Sequence, residues 1–507
     1  MSLELIVGPP NSGRAGAVLE RVRAAVDRDP VLVVPAADDA TRFEQDLCRD
    51  GGAVGVTIRT FAALVEDVVA LAGASPPPTL SRPQRLAVVR AAVAATPLRA
   101  LARSAHAPGF AIALDDLIAE LQAALVSPDE LRAAAAGVEG GGAHERELAE
   151  LYAAYVRLRD GAGRTDAGGI ALAAAAALRA HPDAWGSRPV FFYGFDDLTA
   201  VQLELVRLLA ARTEVTFALT FEDRRALAAR ARLYSELRED PGADAIHELE
   251  RAAPHTSKAS LRHLDRHLFE TDAPQAPADD DGIRLLECAG ERGEAEAVGL
   301  EVARLLAEGA RPDEIVVALR HPTADGPLFA AVLRGMGVPV ALEASVPLDR
   351  TAVGRGLVTL CRAASEEGTP ADLIAHLRAD PSTPPGLVDW AERGLYRGRY
   401  ETVADVYAGW EAPPRHLARV LEAGDAAERL RALAATAREL AEAPHRERAP
   451  LVGERSGSTP LDPIELRAGI AAAELLEELA VIGALPGCEQ PDLADAAEAI
   501  ASTTVPA

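Results

Sequence analysis

Apolar residues recur along this 507-residue chain with two spacings, one that suits strands and one that suits helices. Five short runs in the first half predict strands of an α/β sheet: Leu3–Val7, Val31–Pro35, Val56–Arg59, Val190–Tyr193 and Glu214–Leu219. The first three follow one another closely, separated by helical segments. Between the third and fourth the period lengthens to that of helices, at Arg82–Ala95, Ala111–Ala124, Glu145–Arg159 and Gly169–Ala180. The pattern therefore predicts a helical region, from about Ser81 to Ala184, inserted into an α/β domain.

A stretch of proline, alanine and acidic residues without an apolar anchor, Thr271–Gly282, predicts a linker. A second α/β pattern follows it. Strands are expected at Ile283–Glu287, Ile315–Leu319 and Val338–Ala341, with helices at Glu294–Glu308 and Leu328–Met336. From about Thr369 onward the pattern is helical, with loops rich in proline, glycine and acidic residues. The expected plan is a sheet domain over 1–75 and 185–270, with a helical insertion at 76–184. A linker at 271–282, a second sheet domain at 283–365 and a further helical region at 366–507 complete it. No repeat of solenoid length is present, although the two halves echo each other.

Composition narrows the class. The chain is 49% hydrophobic and 25% charged, the make-up of a folded protein with a sizeable core. Its longest apolar runs, such as Gly169–Leu178, are alanine-rich and too short to span a membrane, and the N-terminus lacks the pattern of a signal peptide. A cytoplasmic protein without a membrane partner is expected. Cys48, Cys288, Cys361 and Cys488 stand far apart with no C-x-x-C pair, which suits a reducing compartment and argues against a zinc or iron–sulfur site in this chain. The net charge of −25 counts against a broad nucleic-acid surface but permits a local basic groove.

The candidate chemistry begins at the first strand. It runs into Gly8-Pro9-Pro10-Asn11-Ser12-Gly13-Arg14-Ala15-Gly16, then into a helix from about Ala17. Strand, glycine loop and helix in this order is the layout of a phosphate-cradling P-loop. A working loop has Lys after its second glycine and then Ser or Thr for Mg²⁺; here those places hold Arg14 and Ala15. Lys258 is the only lysine in the chain. Two readings fit: a nucleotide site stripped of its hydrolytic groups, or a tight strand-to-helix turn that needs glycine for its backbone alone.

The plan and several motifs resemble the superfamily-one helicases of the UvrD type, and most closely the AddB-like subunits of bacterial ATP-dependent helicase/deoxyribonucleases. After the fourth strand, Gly194-Phe195-Asp196-Asp197-Leu198 with Gln202 has the AddB-like form. Aligned on Gln202, the positions of the Mg²⁺-binding Asp and the water-activating Glu of an active helicase fall on Tyr193 and Gly194. Thr60-Phe61 resembles a family segment that touches single-stranded DNA, and Arg320 matches an arginine that reaches the γ-phosphate. An ordinary helix entry explains Thr60 equally well, and Arg320 also reads as a surface arginine, since an arginine finger has little to stabilise without an intact first site.

The resemblance implies two RecA-like P-loop domains, each with an α-helical insertion, the second incomplete. It implies a degenerate nucleotide site at Gly8, Asn11, Ser12, Gly13, Arg14, Ala15, Gln202 and Arg320, and DNA contacts at Thr60 and Phe61. ATP and Mg²⁺ are the implied cofactors, and a motor/nuclease subunit and DNA ends or single strands the implied partners. The implied role is that of a non-motor, DNA-holding subunit in recombinational repair of double-strand breaks. A weak ATPase using Arg14, and a scaffold that never touches nucleic acid, are the alternatives. Family members resume the second motor domain and end in a nuclease domain of PD-(D/E)XK type with an iron–sulfur cluster. Those motifs do not occur here, so a fragment or split protein is expected, with no catalytic or metal residues of its own.

Two further constellations have simpler readings. His263 and His267, one helical turn apart, lack a third metal ligand. Arg224, Arg225, Arg230 and Arg232 alternate with acidic residues, as on a salt-bridged surface helix.

Overall fold

A computed structural model describes all residues except 1, 50–53, 74, 108, 138–141, 240–242, 252–257, 278–279, 443–462 and 507. The chain divides into two compact units, residues 1–80 with 92–284 and residues 81–91 with 285–507.

The first unit is built on a six-stranded parallel sheet. Its strands are β1 (Ser2–Gly8), β2 (Val31–Val34), β3 (Thr57–Thr60), β4 (Val190–Tyr193), β5 (Glu214–Thr220) and β6 (Ala245–Glu248), in the order β3-β2-β4-β5-β1-β6. The five expected strands are all present. The sixth, β6, pairs with β1 at the sheet edge, where Ile246, His247 and Glu248 are exposed. Parallel sheets bury both faces, so central strands read as unbroken apolar runs. All four residues of β2 are buried.

Alternate side chains serve opposite faces. Leu5, Val33, Phe192, Phe217 and Leu219 pack under the helices Phe61–Leu71, Ala167–Ala180, Ala200–Ala210 and Ala231–Glu239. Ile6, Leu32, Val34, Phe191 and Ala218 pack against Arg14–Ala24 and Ala37–Arg49. Between β3 and β4 the helices Phe110–Ala123, Ala143–Gly161 and Ala167–Ala180 fall within about two residues of the expected bounds. They are held by a buried Asp166, considered below.

The expected linker is anchored rather than free. The Asp280 carboxylate accepts hydrogen bonds from the Ala259 and Ser260 amides and the Ser260 hydroxyl, capping the helix Ala259–His267. Residues 278 and 279 of that linker lie outside the described set.

In the second unit the expected helices form, as Gly290–Ala307 and Pro322–Gly335, but the three expected strands do not. Ile283–Glu287, Ile315–Leu319 and Val338–Ala341 form no strand among the described residues, and Leu285 and Val316 are exposed. A strand is stable only when another fills its hydrogen bonds, and no described segment does so here. The only strand pair described in this unit is antiparallel, β7 (Ser345–Pro347) with β8 (Thr504–Pro506). The rest is helical, as expected beyond Thr369. Its core is formed by Ala352–Ala363, Pro370–Ala379, Ala426–Glu442 and Pro463–Ala480. Glu465 ties two of these together by accepting the Ala352 and Val353 amides (2.7 and 2.9 Å), which the helix start would otherwise leave unpaired.

Candidate functional site

The loop after β1 sits where ligand crevices form in open α/β sheets. β1 and β5 are neighbours, and the helices that follow them lie on opposite faces, so their C-terminal ends diverge. The register sets Gly8 beside Thr220. Gly13 has φ +80° and caps the helix Arg14–Ala24, and Asn11 has φ +58°. At Gly8 a Cβ would lie 2.6 Å from Ser12 Oγ and 2.8 Å from the Leu249 carbonyl oxygen, so only glycine allows the loop to close here.

Arg14 does not project into solvent. It is 8% exposed, with its guanidinium turned back into the loop. Nη1 donates to the carbonyl oxygens of Gly8 (2.6 Å) and Pro9 and to Ser12 Oγ (2.7 Å). Nη2 donates to Thr220 Oγ1 at 2.8 Å, crossing from the β1 loop to the end of β5. Burial pushes the Arg14 pKa below its usual range; Tyr193 acts in the opposite sense, and Arg230 adds to the lowering. Arginine suits this role because its planar fork can reach several fixed acceptors at once, whereas an ammonium is a point charge. Arg14→Ala is expected to cost about 2 kcal/mol of stability, since several buried acceptors lose their donor together. A thermal or urea melt checks this, and an unchanged midpoint would show that the contacts are dispensable.

The other expected nucleotide-site residues are accounted for by local structure. Ala15, next in the helix, is half-buried and carries no oxygen in its side chain. Tyr193 packs edge-on against Phe43, with ring centroids 5.1 Å apart. Gly194 turns the chain at φ +89°. Asp196 pairs with Arg230 at 2.6 Å, and Asp197 accepts the Leu198 amide. Gln202 closes a capping box with Thr199: its Oε1 accepts the Thr199 amide at 2.9 Å, and its own backbone amide donates to Thr199 Oγ1 at 3.3 Å. Arg320 is exposed and belongs to the other unit. Lys258 is engaged with the Asp280 carbonyl.

The expected DNA pair divides. Thr60 is the N-cap of the helix Phe61–Leu71, with Oγ1 accepting the Ala63 amide. Phe61 is 6% exposed and lies 6.0 Å from both Phe192 and Phe195, ring centre to ring centre. It is a core residue in this structure and offers no free face to a base, which corrects the expectation. The arginine group is salt-bridged, through Arg224–Glu222, Arg230–Asp196 and Arg232–Glu236. The His263 and His267 rings lie 4.9 Å apart, tilted by 46°, and among the described residues no three His, Cys, Asp or Glu side chains are grouped to hold a metal ion.

Residues 5–250, which take in most of β1 and all of the loop and helix that follow it, match the family described as "ADDB, N-terminal". Over this part the chain is similar to AddB proteins. It is 26% identical over 399 residues to the B-type subunit of the ATP-dependent helicase/deoxyribonuclease of Pelotomaculum thermopropionicum, a match covering 73% of this chain and 34% of that one. The protein of the same name from Moorella thermoacetica is 28% identical over 403 residues, covering 72% and 34%. A shorter match, 36% identical over 107 residues, joins the chain to the counterpart from Symbiobacterium thermophilum, covering 21% and 9%. The longer matches cover about a third of the relatives' length. Among the described residues no helix is long and apolar enough to cross a membrane.

Proposed function

We infer that this chain serves as a non-motor, DNA-holding part of a helicase–nuclease, working beside a motor/nuclease subunit in the repair of double-strand breaks. In this reading the six-stranded sheet is the first of two RecA-like domains. The observation that carries the non-motor reading is the Arg14 side chain, which satisfies the loop from within and links it to Thr220. Mg²⁺–nucleotide does not fit the residues present. Ala15 and Gly194 have no side-chain oxygen, Tyr193 is packed on Phe43, and magnesium wants carboxylate or hydroxyl oxygens beside the phosphates. Hydrolysis in the complex is accordingly assigned to the partner.

Purified chain is expected to show no ATP turnover, with or without DNA. Turnover that Gly13→Asp abolishes would overturn this in favour of an arginine-based ATPase. The DNA-holding half is tested separately, by salt-dependent retention of a DNA end. A chain that binds no end at low salt would be a scaffold instead.

A further inference from the structure

We propose that the end of the helix Pro385–Tyr396 and the turn after it form a stacking platform for single-stranded nucleic acid. Residues 390–400 hold one of the three tryptophans and two of the seven tyrosines of the chain, interleaved with Arg393, Arg397 and Arg399. Tyr396 is 97% exposed and Trp390 45% exposed, and the three arginines are exposed too. None of the three guanidiniums has an ion-pair partner among the described residues.

The arrangement is built rather than frayed. The helix closes in a Schellman turn: the Gly398 amide donates to the Leu395 carbonyl (2.9 Å) and the Arg399 amide to that of Gly394 (3.1 Å). Gly398 takes the left-handed conformation this turn needs, at φ +62°. The chain then doubles back so that Tyr400 lies directly over Gly394, where a Cβ would sit 2.3 Å from its hydroxyl oxygen. The Tyr400 ring reaches 6.5 Å from that of Trp390. On the helix, Trp390, Arg393 and Arg397 fall at i, i+3 and i+7, which is one face.

Charge favours an anion at this place although the whole chain carries −25. Of the three carboxylates nearby, Glu392 is already engaged by Arg378, which leaves Asp389 and Glu401 against three arginines that form no ion pair among the described residues. Arginine alone would suit any polyanion. The aromatic faces select further, because a base can stack on them only when it is not already stacked in a duplex. Bases on Tyr396 and Trp390 with the backbone on the arginines is the combination that single-strand binders use.

The test is fluorescence anisotropy of a labelled oligo-dT strand titrated with the full chain. Tyr396→Ala should weaken binding about tenfold, the loss expected for one stacked base. Tyr396→Phe should retain it, and binding should quench tryptophan fluorescence. Arg393→Glu, Arg397→Glu and Arg399→Glu together should abolish binding. The wild-type salt dependence attributable to this site should have a log–log slope of about −2, for three contacts to a single strand. Tyr396 is so exposed that its variants should melt as the wild type does, which keeps a folding defect from imitating the result. Equal affinity of Tyr396→Ala and wild type would overturn the platform while leaving the DNA-holding reading intact. Equal binding of duplex DNA or of poly-glutamate, or no binding to the single strand, would overturn it as well.

Discussion

Replacing Asp166 with alanine should destabilise the first unit by about 3–5 kcal/mol, the range for removing one partner of a buried ion pair. The carboxylate is fully buried at the start of the helix Ala167–Ala180. It accepts the Gly169 amide at 2.6 Å, the Tyr155 hydroxyl at 2.7 Å and Arg159 Nη1 at 2.9 Å. Gln122 Nε2 donates to both of its oxygens at 3.2 Å. Burial alone would raise its pKa. The bonds from Tyr155, Arg159 and Gly169 outweigh this and hold it below the usual carboxylate range. Removing it would leave Arg159, only 12% exposed, with Asp160 alone, and would take this acceptor from the buried Tyr155 hydroxyl and the half-buried Gly169 amide. Gln122 Oε1 is buried without a partner, so taking over these donors would require its side chain to rearrange. Asp166→Asn keeps the shape and some acceptors and should cost less. Urea denaturation followed by the fluorescence of the buried Trp185 measures both. A loss under about 1 kcal/mol for alanine would mean that water or a rearranged Gln122 takes over the bonds.

The same residue shows what a sequence can and cannot convey. The helical period announced Ala167–Ala180 to within two residues, because apolar spacing is a local property. Nothing local pairs Asp166 with Gln122, forty-four positions earlier. The sheet divides along the same line. β2 and β4 are buried on both faces and were legible as apolar runs. β6 escaped because Ala245–Glu248 is an edge strand whose side chains are mostly exposed, paired among the described residues with β1 alone. The reverse error fell on Ile283–Glu287 and Ile315–Leu319, whose composition suits strands. Pairing is non-local, and no described segment supplies the neighbouring strand.

The candidate site was half legible. Glycines at 8 and 13 after a buried strand gave the loop, and the missing lysine and carboxylates gave its departure from a working site. The destination of the Arg14 side chain was not readable. It depends on the Gly8–Thr220 register in the sheet, and Thr220 lies 206 residues beyond Arg14. Phe61 was ambiguous for a related reason: an aromatic after a strand looks the same whether it faces solvent or, as here, Phe192 and Phe195. The Trp390–Tyr400 cluster had a signal in its interleaved arginines and aromatics, but exposure decides whether such a cluster is core or surface.

Acid should weaken the second unit well above the pH at which carboxylates titrate. His376 is 1% exposed on the helix Pro370–Ala379, and its Nδ1 donates to the Gly356 carbonyl at 2.8 Å. Its Nε2 lies 3.3 Å from His416 Nδ1, and His416 Nε2 lies 3.2 Å from Glu439, which Arg419 also engages. Asp380 and Arg415 complete the charged surroundings. With Nδ1 spent on a carbonyl, protonating Nε2 would aim a new N–H at a neighbouring imidazole. Burial dominates, and His416 adds to it, so the His376 pKa falls from 6.5 to about 4. His416 is lowered too, by its own burial first. A histidine held neutral in the fold but free to protonate when unfolded favours unfolding as protons are added. Its contribution is whole above pH 6.5 and drains away as pH falls toward about 4, amounting to about 3 kcal/mol across that window. Urea midpoints at pH 7.5, 6, 5 and 4.5, read through the tryptophans of this unit, should fall steadily in the wild type. His376→Gln, which keeps a donor for Gly356 but cannot titrate, should start lower and lose most of that slope. If wild type and variant fall in parallel, the acid sensitivity belongs to His416, Glu439 and Asp380, whose pKa values the fold also depresses, and not to the His376 imidazole.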